Sequence, residues 1–292
     1  MTATLDRAFE IAAQTKLRVV LPEVEDLRIV EAAERLRAEG LADPVPLADG
    51  TPKHVEFLTE KRGMRAGIAK RLLQRPLMRA AAMVATGEAD VMVAGAIAPT
   101  KRVIEAASIV IGLEDGVATP SSYFLMVLPD GQEFIFADCA VNVDPTAQEL
   151  ADIASASAQT ATRFWGQAHV ALLSFSTGHS GAGETVEIVR EAAQLTGFSG
   201  PVQADAALDM MIAQQKEASL LHCANVLIFP NLDAGNIAYK LMVQLAGAKA
   251  YGPILQGFRC PICDLSRGAT VDEIVATTVL SIAGRRRQPA FN

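Results

Sequence analysis

The stretch Asp264-Leu-Ser-Arg-Gly-Ala-Thr-Val-Asp-Glu-Ile274 holds the richest set of reactive side chains in the sequence. Arg267 offers a planar fork of N–H donors that fits a phosphate, and Ser266 adds a hydroxyl. Asp272 and Glu273 follow at about one helical turn. A carboxylate beside an anion clamp is what general-base chemistry on an anionic substrate requires. The same residues also fit a plain helix start. Thr270 and Glu273 have capping-box spacing, and any helix favours acids in its first turn.

Other stretches carry weaker signals. Ser174-Phe-Ser-Thr-Gly-His-Ser-Gly-Ala-Gly-Glu184 joins a predicted strand to a predicted helix. Its glycines and hydroxyls suit either a phosphate-binding nest or a flexible turn with a helix cap, and the residues alone leave both open. Within it, Gly178-His-Ser-Gly-Ala182 comes near the nucleophile elbow of serine hydrolases. The last glycine is replaced by alanine, and only His222 lies downstream, so the hydrolase reading is disfavoured. Cys260-Pro-Ile-Cys263 has no second pair to complete a zinc site, since Cys139 and Cys223 are isolated. The four histidines, His54, His169, His179 and His222, have no metal-ligand spacing, so no metal is assigned. Arg285-Arg-Arg287 reads as a solvated tail.

Short apolar runs and longer amphipathic stretches alternate along the chain and would position these residues. Strands are predicted at Leu17–Leu21, Asp90–Ala94, Phe134–Ala137, Val170–Phe175 and Val226–Pro230. Helices are predicted at Asp26–Arg37, Pro76–Thr86, Thr146–Thr162, Glu184–Leu195, Ala234–Leu245 and Val271–Ile282. The alternation argues for an α/β fold with a largely parallel sheet. Ligands of such folds bind beyond the carboxyl ends of strands. The loops Gly95–Lys101, Ser176–Gly183 and Arg259–Thr270 are therefore the ones to watch.

Composition narrows the class. The 292 residues can bury a sizeable core, and half of them are hydrophobic, which disfavours disorder. A net charge of −7 disfavours a general nucleic-acid binder. No apolar run reaches membrane-spanning length, and Asp6 and Glu10 interrupt any signal-like start. A soluble, cytoplasmic protein is expected. Four cysteines in this length do not make a disulfide framework.

Several segments, in order along nearly the whole chain, together resemble the phosphate acetyltransferase family and its phosphate butyryltransferase relatives. They are Leu21-Pro-Glu-Val-Glu-Asp-Leu-Arg28, Phe136-Ala-Asp-Cys-Ala-Val-Asn142, Leu150-Ala-Asp-Ile-Ala154 and Ala171-Leu-Leu-Ser-Phe-Ser-Thr177. Ala224-Asn-Val-Leu-Ile-Phe-Pro230, Ala234-Gly-Asn-Ile-Ala-Tyr-Lys240, Gly252-Pro-Ile-Leu-Gln-Gly257 and Asp264-Leu-Ser-Arg-Gly268 complete the set. The resemblance implies two α/β/α lobes flanking a cleft, like isocitrate and isopropylmalate dehydrogenases. The first lobe would be 1–119 plus 254–292. The second would be 120–253 and dimerising, in a homodimer.

The implied reaction converts acetyl-CoA and phosphate into acetyl phosphate and CoA, reversibly, by direct attack of a thiolate that a carboxylate generates. CoA is a substrate, and no bound cofactor or metal is implied. Ser266 and Arg267 match the pair that contacts phosphoryl and carbonyl oxygens. Glu273 falls where the family has its base, with Asp272 beside it. Thr100, Lys101, Arg102, Ser121, Ser122 and Arg28 are the implied substrate-binding residues.

The resemblance departs in charge. Glu105 and Thr59 stand where the family carries arginines, with Lys101, Arg102, Lys61 and Arg62 nearby as substitutes. Cys263 replaces an asparagine, and Asp43–Lys70 is shortened. Propionyl or butyryl transfer remains an alternative. So does a non-catalytic acyl-CoA sensor of the same fold, which the lost arginines favour and Ser266-Arg267 opposes. An oxidoreductase on this fold would want an acidic metal cluster and a nicotinamide loop, and neither is seen.

Overall fold

The computed structural model describes residues 2–285, so Arg286 and Arg287 of the basic run lie outside the described residues. The fold is α/β. The chain divides into two compact units: residues 3–115 with the described residues from 258 onward, and Gly116–Gly257.

The first unit is built on four parallel strands in the order Asp43–Val45, Arg18–Val20, Val91–Ala94, Ile262–Asp264. Val19, Val20 and all of Val91–Ala94 on the two inner strands leave almost no surface exposed, as expected of a sheet covered on both faces. Val271–Ala283 packs against Ala3–Thr15 and Leu27–Ala38, and it is buried from Ile274 to Ile282. The predicted boundaries hold to within a few residues because their signals are local. The Asp26 side chain accepts the backbone N–H of Arg28 and starts Leu27–Ala38. Pro76 opens Pro76–Ala85, where its missing N–H removes no helical hydrogen bond. Thr270 and Glu273 form the predicted capping box.

The strands Arg18–Val20, Val91–Ala94 and Ile262–Asp264 are parallel neighbours. Their carboxyl ends therefore deliver three loops, 21–26, 95–99 and 265–270, to one edge of the unit.

The second unit has six strands in the order Lys249–Gln256, Ser121–Val127, Glu133–Ala137, Val226–Ile228, Val170–Leu173, Ser199–Val202. Ser121–Val127 runs antiparallel to both of its neighbours. Within each unit the other strand pairings are parallel, so the largely parallel sheet stands with this one exception, and its cause is local. Pro129-Asp-Gly131 closes a tight turn, with Leu128 N–H on the Gln132 carbonyl at 2.9 Å. So short a connection makes a hairpin, whereas a parallel crossover needs a dozen or more residues. Ser121–Val127 itself is buried throughout, so it carries no alternating pattern to betray it. Phe124 stacks on Tyr239 with ring centroids 4.3 Å apart, tying Leu232–Ala246 to the sheet. Among the described residues no helix is long and apolar enough to cross a membrane.

Candidate functional site

Ser266, Arg267 and Gly268 are exposed on the loop that leaves Ile262–Asp264. Among the described residues the Arg267 guanidinium meets no hydrogen-bond or ion-pair partner. The loop beneath it is firmly held. Leu265 N–H donates to the Ala94 carbonyl at 2.7 Å, and Ala269 N–H donates to the Ser266 carbonyl at 2.9 Å.

Arg28 completes the fixation. Its Nη1 donates to the carbonyls of Arg267 and Ala269 at 2.9 and 2.8 Å. Its Nη2 donates to Asp26 at 2.6 Å and to the Ala96 carbonyl at 3.2 Å, and its Nε donates to Asp26 at 3.0 Å. A guanidinium has five N–H donors, and these contacts occupy all of them. Arg28 is thus a buckle across the three loops, and it has no donor left for a ligand.

Glu23 is a second fixing group, and the sequence reading missed it. Its buried carboxylate accepts four consecutive backbone N–H groups: Gly95 and Ala96 on Oε2, both at 2.8 Å, and Ile97 and Ala98 on Oε1, at 3.1 and 2.7 Å. The run Gly-Ala-Ile-Ala offers no side-chain acceptor of its own, so a neighbouring loop supplies one. Gly95 has φ +110°, and a side chain there would strike Asp264 and lie 2.6 Å from Leu265 N. Only glycine lets the two loops touch.

Asp264 ends its strand with its carboxyl group inside the unit. Thr100 Oγ1 donates to its Oδ2 at 2.6 Å, and its buried Oδ1 has no hydrogen-bond partner among the described residues. Burial pushes this carboxyl up to about 7. Thr100's hydrogen bond opposes that shift, and the charge on Glu23 reinforces it. The adjacent Cys263 thiol is pushed up to about 12 by burial, and that of Cys260 to about 11, so neither supplies a thiolate near neutrality.

The charge expected near Glu105 is present in another form. Arg75 grips Glu105 with both Nη atoms at 2.9 and 2.8 Å, and Arg102 reaches the same carboxylate at 2.9 Å. Hydrogen bonds from the two guanidinium groups, Arg75 first and then Arg102, hold Glu105 down at about 2. The cluster keeps one net positive charge and flanks a pocket lined by Arg75, Pro76, Leu77, Ala98 and Arg102. Arg75 was not singled out from sequence, since nothing local to it signals a partner thirty positions away. Lys101 is exposed. Near Thr59, Arg62 donates to the carbonyls of Ser108 and Ile109 at 2.8 and 3.0 Å, capping a π-helical turn.

The acids of the last helix differ in engagement. Asp272 pairs with Arg35 at 2.5 Å and is 85% exposed. Glu273 Oε2 accepts the Thr270 N–H at 2.8 Å and its hydroxyl at 3.1 Å, while Oε1 has no hydrogen bond among the described residues. In the other unit, Ser121 and Ser122 are fully buried. Ser121 accepts from Gln256 at 3.3 Å, and Ser122 donates to Asp138. Asp138 also takes the N–H groups of Ala140, Val141 and Asn142. Both hydroxyls thus serve the interior of their unit. In the glycine-rich loop, the Ser176 hydroxyl accepts the Gly181 N–H at 2.8 Å, the geometry of a self-capped turn.

Comparison with known proteins places these residues in a lineage. The family model described as "Phosphate acetyl/butaryl transferase" matches residues 49–282. A phosphate acetyltransferase of Nitratidesulfovibrio vulgaris is 38% identical over 93% of this chain, which spans only 44% of that relative's length. A phosphate acetyltransferase of Clostridium acetobutylicum is 35% identical, with 97% of this chain and 98% of the relative aligned. The crystal structure of a phosphotransacetylase from Streptococcus pyogenes superposes with a TM-score of 0.88 at 32% identity, covering 97% of this chain and 98% of that one.

Proposed function

As a member of the phosphate acetyl/butaryl transferase family, the chain has a loop architecture suited to acyl phosphates, and we propose that it interconverts acetyl-CoA plus phosphate with acetyl phosphate plus CoA. The observation that carries this reading is the free guanidinium of Arg267, displayed beside the Ser266 hydroxyl on a loop that Arg28 fixes at the backbone. A fork held in place before the substrate arrives stabilises developing charge without reorganising. Arg267 takes the phosphoryl oxygens, and Ser266 takes the acyl carbonyl. Val24, Leu27 and Ile97 are exposed on or beside the loops that Arg28 and Glu23 tie together, giving apolar contact for the acyl and pantetheine carbons. Lys101 and the Arg75–Glu105–Arg102 cluster supply positive charge for further phosphate of CoA. Glu273, through its unengaged Oε1, meets the thiol, with Thr100 near it in the reaction. Asp272, paired with Arg35, is the weaker candidate. CoA is a substrate, and the scheme uses no bound cofactor.

The protein is proposed to work in the cytoplasm as a homodimer joined through the second unit. There Ile237, Leu241 and Leu245 form an exposed apolar stripe at helical spacing on Leu232–Ala246, which suits a second copy of the chain.

The test is arsenolysis of acetyl-, propionyl- and butyryl-CoA, read as thiol release. Acetyl-CoA is expected to give the highest kcat/KM. A longer chain ahead by tenfold would reassign the acyl group. Tight CoA binding with no thiol released from any ester would select a sensing role instead.

A further inference from the structure

An arginine fork grips the two oxygens of a carboxylate and two oxygens of a phosphate in the same bidentate geometry. A carboxylate already seated in such a fork therefore competes with a phosphate for it. We infer that Glu105 is a specificity-determining residue: it fills the Arg75–Arg102 pair with an internal anion and leaves the chain little dependent on the phosphate monoester at the nucleotide end of CoA. This inference rests on the acyl-transfer reading above and names the thiols that the same site takes.

The geometry carries it. Arg75 Nη1 donates to Glu105 Oε1 at 2.9 Å and its Nη2 to Oε2 at 2.8 Å, and Arg102 Nη1 adds a third bond to Oε2 at 2.9 Å. The Glu105 side chain is 28% exposed, against 37% for Arg75 and 59% for Arg102, so the carboxylate is the inner group and the guanidiniums the outer ones. Held down by Arg75 first and then Arg102, Glu105 stays ionised across the neutral range. A phosphate arriving at this cluster meets one net positive charge instead of two, with a like charge in contact with both guanidiniums.

The pocket beside the cluster is framed together with the loop of Arg267. Ala98 lines the pocket, and its N–H is held by Glu23 Oε1 at 2.7 Å. On the same loop the Ala96 carbonyl accepts from Arg28, which also holds the Arg267 carbonyl. Pocket and Arg267 loop thus share one set of fixing groups within one unit. The pocket measures about 530 Å³, a volume that suits a nucleotide. Pro76, Leu77 and Ala98 give it apolar walls. Contact with those walls needs no phosphate, so a thiol without the monoester keeps it.

The experiment measures kcat/KM with acetyl phosphate and either CoA or dephospho-CoA, the same thiol without the monoester, in wild type and in Glu105→Gln. Charge-assisted hydrogen bonds to a phosphate change binding by roughly 10- to 100-fold, so a wild-type preference for CoA below about 10-fold is expected where Glu105 has taken them. Glu105→Gln keeps the shape of the side chain and frees the charge of both guanidiniums. It is expected to raise the preference for CoA by about 10-fold or more, through a lower KM for CoA rather than a higher kcat. A purely structural role for the ion pairs would move both thiols alike. A wild-type preference above about 10-fold overturns the inference, and so does a folded Glu105→Gln, established by its melting curve, whose preference stays within about twofold of wild type. Should Glu105→Gln not fold, the wild-type preference decides alone. Wild-type protein that acetylates neither thiol overturns the acyl-transfer reading itself, a separate outcome.

Discussion

Arg267→Ala is expected to lower kcat/KM for acetyl transfer by about 10³, or about 4 kcal/mol of transition-state stabilisation, while leaving the melting temperature unchanged. The large effect follows from the lack of a replacement. Arg28 is the nearest guanidinium along the same loops, and its five donors are already spent on Asp26 and three backbone carbonyls. Stability is spared because the Arg267 side chain is exposed and holds nothing in place. Arg267→Lys keeps the charge but loses the planar fork, and it should recover only part of the rate. Steady-state kinetics beside a thermal melt checks both. Equal turnover in Arg267→Ala would remove the residue from the mechanism.

Glu23→Ala should instead act on the fold of the site. It leaves four N–H groups of the 95–98 loop without their acceptor, at a cost on the order of 3–5 kcal/mol. A melting temperature lower by roughly 10 °C is expected for a chain of this size. A melt within about 2 °C of wild type would show that the loop holds itself without Glu23.

These two residues also show what the amino-acid sequence makes legible. Ser266, Arg267 and the Thr270–Glu273 capping box stand within eight residues of one another, so their relation is local and could be read directly. Asp26 and Pro76 are legible for the same reason, since a cap or a first-turn proline needs only its own helix. Glu23 accepts from residues more than seventy positions away, and Thr100 meets Asp264 across 164. Spacing within one sequence carries no trace of such pairs. The family resemblance points to Arg28 as a substrate-binding residue, but its contacts depend on the carbonyls around it, which only the fold supplies. Ser121 and Ser122 illustrate the converse. The family resemblance implies substrate binding for them, and in this structure their strand is fully buried and their hydroxyls meet Gln256 and Asp138. The Glu105 position is subtler still. A lost arginine in sequence becomes, in space, a carboxylate held between Arg75 and Arg102.

The most direct measurement is product stoichiometry. Wild-type protein is mixed with acetyl-CoA and isotopically labelled inorganic phosphate, and free thiol and acid-labile acyl phosphate are both counted over time. One acetyl phosphate should appear for each CoA released, and formation should stop when phosphate is omitted. Thiol release without labelled acyl phosphate, or release that ignores phosphate, would mean that water takes the acetyl group, and it would contradict a phosphate held at Arg267.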